Sequence, residues 1–268
     1  MGRSDVIPEQ RRGLVLEFLL RRGAASIQEL ADALGTSSST VRRDLEQLEQ
    51  EGHLRKTHGG AVLSSAAHST FEPDAAVAAQ VSRIEKSAIG QAAAHLLSAG
   101  DSVIFDSGST VLAAAQVAVE RRIALTAVTN DLGIGQVLAG SDKIRVVVLG
   151  GSVRRGSLTL IGEPGQSFIA DLHADVAFIG THSISGRILT ETSIEIASIR
   201  RAMIAAARRV ILLADSTKFQ PAAFYKICEV TAVHEVITDS RAAPKLLADL
   251  RDLGLKVTTV EVPGGSAE

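Results

Sequence analysis

From Asp101 onward, short runs of Val, Ile and Leu alternate with longer segments of helical character, and this alternation restricts the fold more than any other feature. The apolar runs are Ser102–Phe105, Leu125–Val128, Ile144–Leu149, Val176–Ile179, Val210–Ala214, Glu235–Thr238 and Lys256–Val260. Helices are expected from Val111, from Leu132, through Ile194–Ala207 and through Leu246–Leu253. Strands this continuously apolar suit a largely parallel sheet with helices on both faces, so the fold class is α/β. Composition agrees, because the 46% hydrophobic content is mainly aliphatic and only 3% of residues are aromatic. A chain of 268 residues has room for one large or two modest domains.

In sheets of this kind ligands bind beyond the C-terminal strand ends, and here those ends carry polar residues. The first is Asp106-Ser107-Gly108-Ser109-Thr110, which closes a strand and opens a helix. Glycine permits close backbone approach, the hydroxyls add donors, and the N–H groups of a helix start attract an anion, for which phosphate is the natural guest. No Walker loop is present, which disfavours a nucleoside triphosphate. Thr129-Asn130, Gly150-Gly151, Gly180-Thr181-His182, and Asp215 with Lys218 follow other strands. Any one of these pairs is an ordinary turn or cap on its own. Five on one sheet edge point to a site.

The N-terminal quarter has a different pattern. Ser26 and Glu29 form an S-x-x-E capping box, followed by an apolar stripe of Ile27, Leu30, Ala31 and Leu34 that stops at Gly35. A second helix starts at Ser37, holds Val41, Leu45 and Leu48 on one face, and meets a stop signal at Gly52. Two short helices around a Gly-containing turn are the skeleton of a helix-turn-helix. Opposite the apolar face lie Ser39, Thr40, Arg43 and Gln47, with Ser38 in the first turn and Arg42 on the flank. Arg pairs with guanine, Gln with adenine, and hydroxyls at a helix start with phosphates or base edges. Glu46 also points outward, where it pairs with a neighbouring Arg or helps exclude wrong bases. Leu54 to Val62 reads as two short strands around a Gly-Gly turn, a basic hairpin whose Arg55, Lys56 and His58 reach a DNA backbone.

The bland alternative is a three-helix packing unit with solvated arginines, and bulk charge does not decide against it. Met1 to Gly60 carries nine Lys or Arg and nine Asp or Glu. Any DNA footprint is therefore local. The net charge of −2 excludes a global polybasic coater. Cys228 is the single cysteine, which suits a buried small hydrophobe in a reducing cytoplasm. No apolar run approaches the roughly 20 residues of a membrane helix, so no membrane partner is expected. Nor is a cofactor or a metal ligand set. The small, polar residues 64–73 read as a linker between residues 1–63 and 74–268, and the Ala-rich run from Asp74 through Ala99 reads as helix, with a break near Ser82.

A family resemblance rests on these same residues. Glu29-Leu30-Ala31, Thr40-Val41-Arg42-Arg43-Asp44-Leu45, Leu48-Glu49, Gly52, Leu54-Arg55 and His58-Gly59-Gly60-Ala61 resemble the winged helix-turn-helix of DeoR-type bacterial regulators. The resemblance implies a first helix over Arg11 to Gly23, with Leu14, Phe18 and Leu19 facing its core. Residues Asp106–Thr110, Thr129-Asn130, Gly150-Gly151 and Asp215-x-x-Lys218-Phe219 resemble the sensor domain of the same family, similar in fold to ribose-5-phosphate isomerases. It implies an effector site of Asp106, Ser107, Gly108, Ser109, Thr110, Thr129, Asn130, Gly150, Gly151, His182, Asp215 and Lys218. Where many members carry an acidic G-A-D-G pattern, this chain has Gly180-Thr181-His182-Ser183, which weakens a catalytic reading. The expected partners are operator DNA, a phosphorylated sugar and further copies of the chain, as a dimer or tetramer. Two further readings compete. One is an isomerase or deaminase of sugar phosphates using Asp215 or Glu191 as base beside Lys218; the other is a half that only oligomerises.

Overall fold

The computed structural model describes residues 7–50, 53–63 and 82–262. Contacts divide the chain into two units, Met1–Val81 and Ser82–Glu268.

In the first unit the order is α1 (Pro8–Arg22), β1 (Ala24–Ser26), α2 (Ile27–Leu34), α3 (Ser38–Gln50), β2 (Leu54–Thr57) and β3 (Gly60–Leu63). Pro8 opens α1, where its missing N–H costs nothing. At α2 the capping box forms as expected: the Glu29 N–H donates to Ser26 Oγ at 3.1 Å, and the Ser26 N–H donates to Glu29 Oε2 at 2.8 Å. Gly35 ends α2 with φ of 61°, a left-handed conformation that glycine adopts without strain. Leu30, Val41, Leu45, Leu48 and Leu54 enter the core as their spacing demands. On α1 the buried face is turned by one position from the expected one: Val15, Leu16 and Leu19 are buried, whereas Leu14 is half-buried. The expected stop at Gly52 lies outside the described residues.

The three short strands lie in the order β1-β3-β2, so β3 is central. The hairpin turn is His58-Gly59, and Gly60 already belongs to β3, opposite Ser26. A Cβ on Gly60 would sit 2.0 Å from the Ala25 carbonyl oxygen, so only glycine lets β1 and β3 pair there.

The second unit opens with α4 (Arg83–Ala94), continues through β4 (Ser102–Phe105), α5 (Ser109–Glu120), β5 (Leu125–Thr129), α6 (Leu132–Ala139) and β6 (Ile144–Val148). After the small β7 (Ser152–Val153), β8 (Leu160–Ile161) and α7 (Gly165–Ala170) come β9 (Ala174–Ile179), β10 (Ser183–Ser185), β11 (Ile188–Glu191), α8 (Ile194–Ala205) and β12 (Ala207–Leu213). The chain then forms β13 (Tyr225–Glu229), β14 (Glu235–Asp239), α9 (Pro244–Asp252) and β15 (Lys256–Val260).

Seven strands form one parallel sheet in the order β15-β14-β12-β9-β4-β5-β6. It separates two apolar clusters, one including Ile104, Ile179, Leu212 and Met203, the other Phe105, Phe178, Val111 and Ile134. All seven strands match the expected runs within three residues. From β4 the chain winds outward to β5 and β6, then returns to lay β9 on the other side of β4. The reversal makes the ends of β4 and β9 a topological switch point, where such sheets leave a crevice.

Two features were absent from the sequence reading. β7 and β8 form a hairpin that hydrogen-bonds to the chain just beyond β5, and β10, β11 and β13 form a separate antiparallel sheet. The expected linker and residues 74–81 lie outside the described residues. Among the described residues no helix is long and apolar enough to cross a membrane.

Candidate functional site

The outward face of α3 carries Ser39, Arg42, Arg43, Glu46 and Gln47, all exposed, while Ser38 and Thr40 are half-covered in its first turn. The Ser37 hydroxyl accepts the Thr40 N–H at 3.2 Å and meets the Ser39 and Thr40 hydroxyls at 2.8 Å, so these hydroxyls converge on the helix start. The core side holds one charge that periodicity did not single out. Asp44 is buried and accepts from Arg11 Nε at 2.6 Å and Nη2 at 3.2 Å, a bidentate pair that locks α3 onto α1. In the hairpin, Arg55, Thr57 and His58 are exposed, whereas Lys56 is half-buried on the helix side.

In the second unit the expected polar ends do gather along the C-terminal edge of five neighbouring strands, and the switch point is their centre. Asp106 is fully buried there. Its Oδ1 accepts the Ser107 N–H at 2.8 Å, while its Oδ2 accepts the Gly180 N–H at 2.9 Å and Arg200 Nε at 2.7 Å. Both oxygens are thus occupied, and Asp106 clamps the ends of β4 and β9 together at the switch point. Arg200, on α8, also donates to Glu191 at the end of β11, and Glu191 accepts from the Thr192 N–H at 2.8 Å and hydroxyl at 3.1 Å. One guanidinium therefore ties the main sheet to the small antiparallel one.

Gly108 adopts φ of 121° at the start of α5, with no side-chain cap, and a Cβ there would meet nothing within 4 Å. The backbone lies open to an approaching group, and the helix start favours an anion. Ser107 and Thr110 are buried beside it and Ser109 is half-exposed. Gly150 and Gly151 have a different reason to be glycine. Their added Cβ atoms would lie 2.9 Å from Pro164 Cγ and 2.5 Å from the Ile161 carbonyl oxygen, so these residues serve packing against α7 and β8. Thr129 is buried and its hydroxyl accepts the Asp131 N–H at 3.1 Å; Asn130 Nδ2 donates to the Leu160 carbonyl at 3.3 Å.

Asp215 follows β12, with Oδ1 accepting the Thr217 N–H at 3.0 Å. Burial alone would raise its pKa, but Lys218 and Lys86 together with Thr217 outweigh that and hold it below the ordinary carboxylate range. Lys86, a buried cation on α4, was missed by the sequence reading because one lysine in an Ala-rich amphipathic run looks solvated. Among the described residues three buried side-chain polar atoms have no hydrogen-bond partner: Asn130 Oδ1 and Asp215 Oδ2 beyond the ends of β5 and β12, and Thr238 Oγ1 within β14.

Burial likewise favours neutral Glu191, yet Arg200 and the two Thr192 donors prevail and its pKa lies below the usual value. At Asp106 burial is the stronger influence and pushes the carboxyl up, opposed by Arg200 and the two amides. His182 is pulled down to about 4, first by burial and then by Lys218. It is a neutral imidazole at pH 7.

A pH test follows. The unfolded imidazole titrates near 6.5 and the folded one near 4, so acid favours the unfolded chain. Stability is expected to fall by roughly 3 kcal/mol as pH drops through that window on account of this residue. Urea titrations of wild type and His182→Gln at pH 7 and pH 4.5 check it; an equal pH dependence in both proteins would remove His182 from the account.

Comparison with known proteins matches both units. The profile described as the DeoR-like helix-turn-helix domain covers residues 11–67, and that described as the DeoR C terminal sensor domain covers residues 82–240. An uncharacterized HTH-type transcriptional regulator, YgbI of Escherichia coli, is 33% identical over 87% of this chain and 91% of its own length. The HTH-type transcriptional repressor GlcR of Bacillus subtilis is 32% identical over 91% of this chain and 93% of its own. Among solved structures, ribose 5-phosphate isomerase A of Methanocaldococcus jannaschii aligns with TM-score 0.37 and 16% identity over 50% of this chain and 53% of that one.

Proposed function

The chain belongs to the DeoR family of transcriptional regulators, and on that premise we propose that it represses a carbohydrate-utilisation operon and leaves its operator when a phosphorylated sugar or related metabolite binds the larger unit. The observation that carries the effector half of this reading is the pair of buried, unpartnered acceptors, Asn130 Oδ1 and Asp215 Oδ2. A buried acceptor left without a donor costs about 1–3 kcal/mol, and sugar hydroxyls supply the missing donors. The open backbone at Gly108 and the start of α5 receive the phosphate, with Ser107, Ser109 and Thr110 as donors and Lys218 as countercharge. Asp106 acts as a brace for that loop, and neutral His182 hydrogen-bonds a hydroxyl.

The relatives described above are named as a regulator and a repressor, and this chain is read as a regulator, not an isomerase. A general base works best with a pKa near the operating pH. Glu191 and Asp215 are held below the ordinary range, away from neutrality. In this reading Ser38, Ser39, Thr40, Arg42, Arg43, Gln47, Arg55 and His58 meet operator DNA in the cytoplasm, and a homo-oligomer presents one such module per half-site.

The test uses duplex DNA selected from a random library by the full-length chain. Pentose and hexose phosphates are added, with the free sugars as controls. At least one phosphate is expected to weaken binding tenfold or more, which requires about 1.4 kcal/mol of preference for the DNA-free state per tenfold loss. A free sugar as effective as its phosphate sinks the assigned ligand class.

A further inference from the structure

The outward carboxylate of the helix-turn-helix unit has a specific partner. Glu46 stands on the outward face of α3 among Ser39, Arg42, Arg43 and Gln47, where a negative charge opposes the approach of phosphates. Its Oε1 lies 3.2 Å from Lys56 Nζ in the wing. One turn further along, Glu49 Oε1 accepts the Lys56 backbone N–H at 2.8 Å. Strand alternation explains why Lys56 is within reach. Leu54 and Lys56 point from β2 toward α3, and Arg55 and Thr57 point away.

The two bonds differ in kind. The hydrogen bond from the Lys56 backbone N–H to Glu49 anchors the wing backbone to the helix and leaves the lysine ammonium out of it. The bond to Glu46 holds a flexible ammonium whose side chain is one third exposed, as is more than half of its partner. Exposed pairs of this sort are worth no more than about 1 kcal/mol, so a DNA phosphate competes for the lysine on nearly equal terms.

We propose that Glu46 is an affinity-setting residue: it withholds Lys56 from the DNA backbone, so the wing contributes fewer phosphate contacts than its basic residues would allow. The proposal rests on α3 and the wing forming the DNA-contacting surface. Glu49 keeps the strand in place whichever partner Lys56 takes.

The test is a double-mutant cycle on the full-length chain, using Glu46→Gln, Lys56→Met and the combination, with the library-selected duplex at 50 and 200 mM salt. Glu46→Gln is expected to bind about 3–10-fold more tightly at 50 mM, and to steepen the salt dependence by about 0.9 per DNA-bound subunit as one more phosphate is neutralised. That advantage shrinks about 3.5-fold per DNA-bound subunit by 200 mM. In the Lys56→Met background, the gain from Glu46→Gln is expected to shrink to less than about twofold, the part that comes from relief of its own repulsion. An equal gain with and without Lys56 overturns the proposal, since Glu46 then acts by its own repulsion. Weaker binding by Glu46→Gln overturns it too, because the carboxylate then contributes a contact or holds the wing. Arg43→Ala is measured alongside. If it weakens binding while the cycle is additive, the proposal alone fails; if it leaves binding unchanged, the reading of α3 fails and the proposal with it.

Discussion

Arg200→Met is expected to lower the stability of the larger unit by about 3–5 kcal/mol, because it leaves Asp106 and Glu191 buried without their shared cation. Methionine keeps much of the side-chain volume, so the loss reports charge rather than a cavity. Tyr225 is the only tyrosine and the chain has no tryptophan, so its fluorescence follows unfolding of the sheet that pairs β13 with β11. The deficit has a pH signature. Glu191 contributes stability in the wild type above the ordinary glutamate range, and that contribution is lost as pH falls through its lowered folded value. In the variant, burial has lost its strongest opponent and the folded value rises. Protonation then relieves the stranded charges, and the gap between the two proteins narrows toward acid pH. A loss below about 1 kcal/mol at pH 7, or a gap that widens in acid, refutes the brace.

The second large effect is on ligand response. Lys218→Glu is expected to raise the sugar-phosphate concentration needed for operator release by roughly 100-fold or more, since it replaces a countercharge with a repelling one in a partly desolvated site. Operator binding itself is expected to stay within twofold of wild type, because the change lies outside the helix-turn-helix unit. The product is a repressor that does not let go. Lys218 also offsets the charge of Asp215, so Lys218→Gln is measured in parallel to separate loss of the ligand from loss of the fold. A normal response in Lys218→Glu places the phosphate elsewhere.

Local signals carried most of the architecture. The Ser26 box, the Gly35 stop, the Val41, Leu45 and Leu48 face and the aliphatic strands each depend on residues a few positions apart, and each reappears in the structure. What escaped is non-local. Strands of two to four residues such as Ala24–Ser26, Ser152–Val153 and Ser183–Ser185 are too short to show a period and exist only through their partners. The same holds for buried charge. Asp44 meets Arg11 across 33 positions and Asp106 meets Arg200 across 94, so neither pairing can be read from neighbouring positions. Gly150 and Gly151 illustrate the converse. A Gly-Gly pair beyond a strand suggests a ligand cradle, yet close packing accounts for both residues.

On α3, Val41, Asp44, Leu45 and Leu48 are buried, while Ser39, Arg42, Arg43, Glu46 and Gln47 are exposed. Residues that hold the helix and residues proposed to read DNA from it are separate sets. Exposed substitutions usually change stability by no more than about 0.5 kcal/mol, so a lineage can rewrite this reading surface without first acquiring a sturdier fold. Duplicate copies of such a gene can therefore drift to new binding sites through single steps, each compatible with a folded protein.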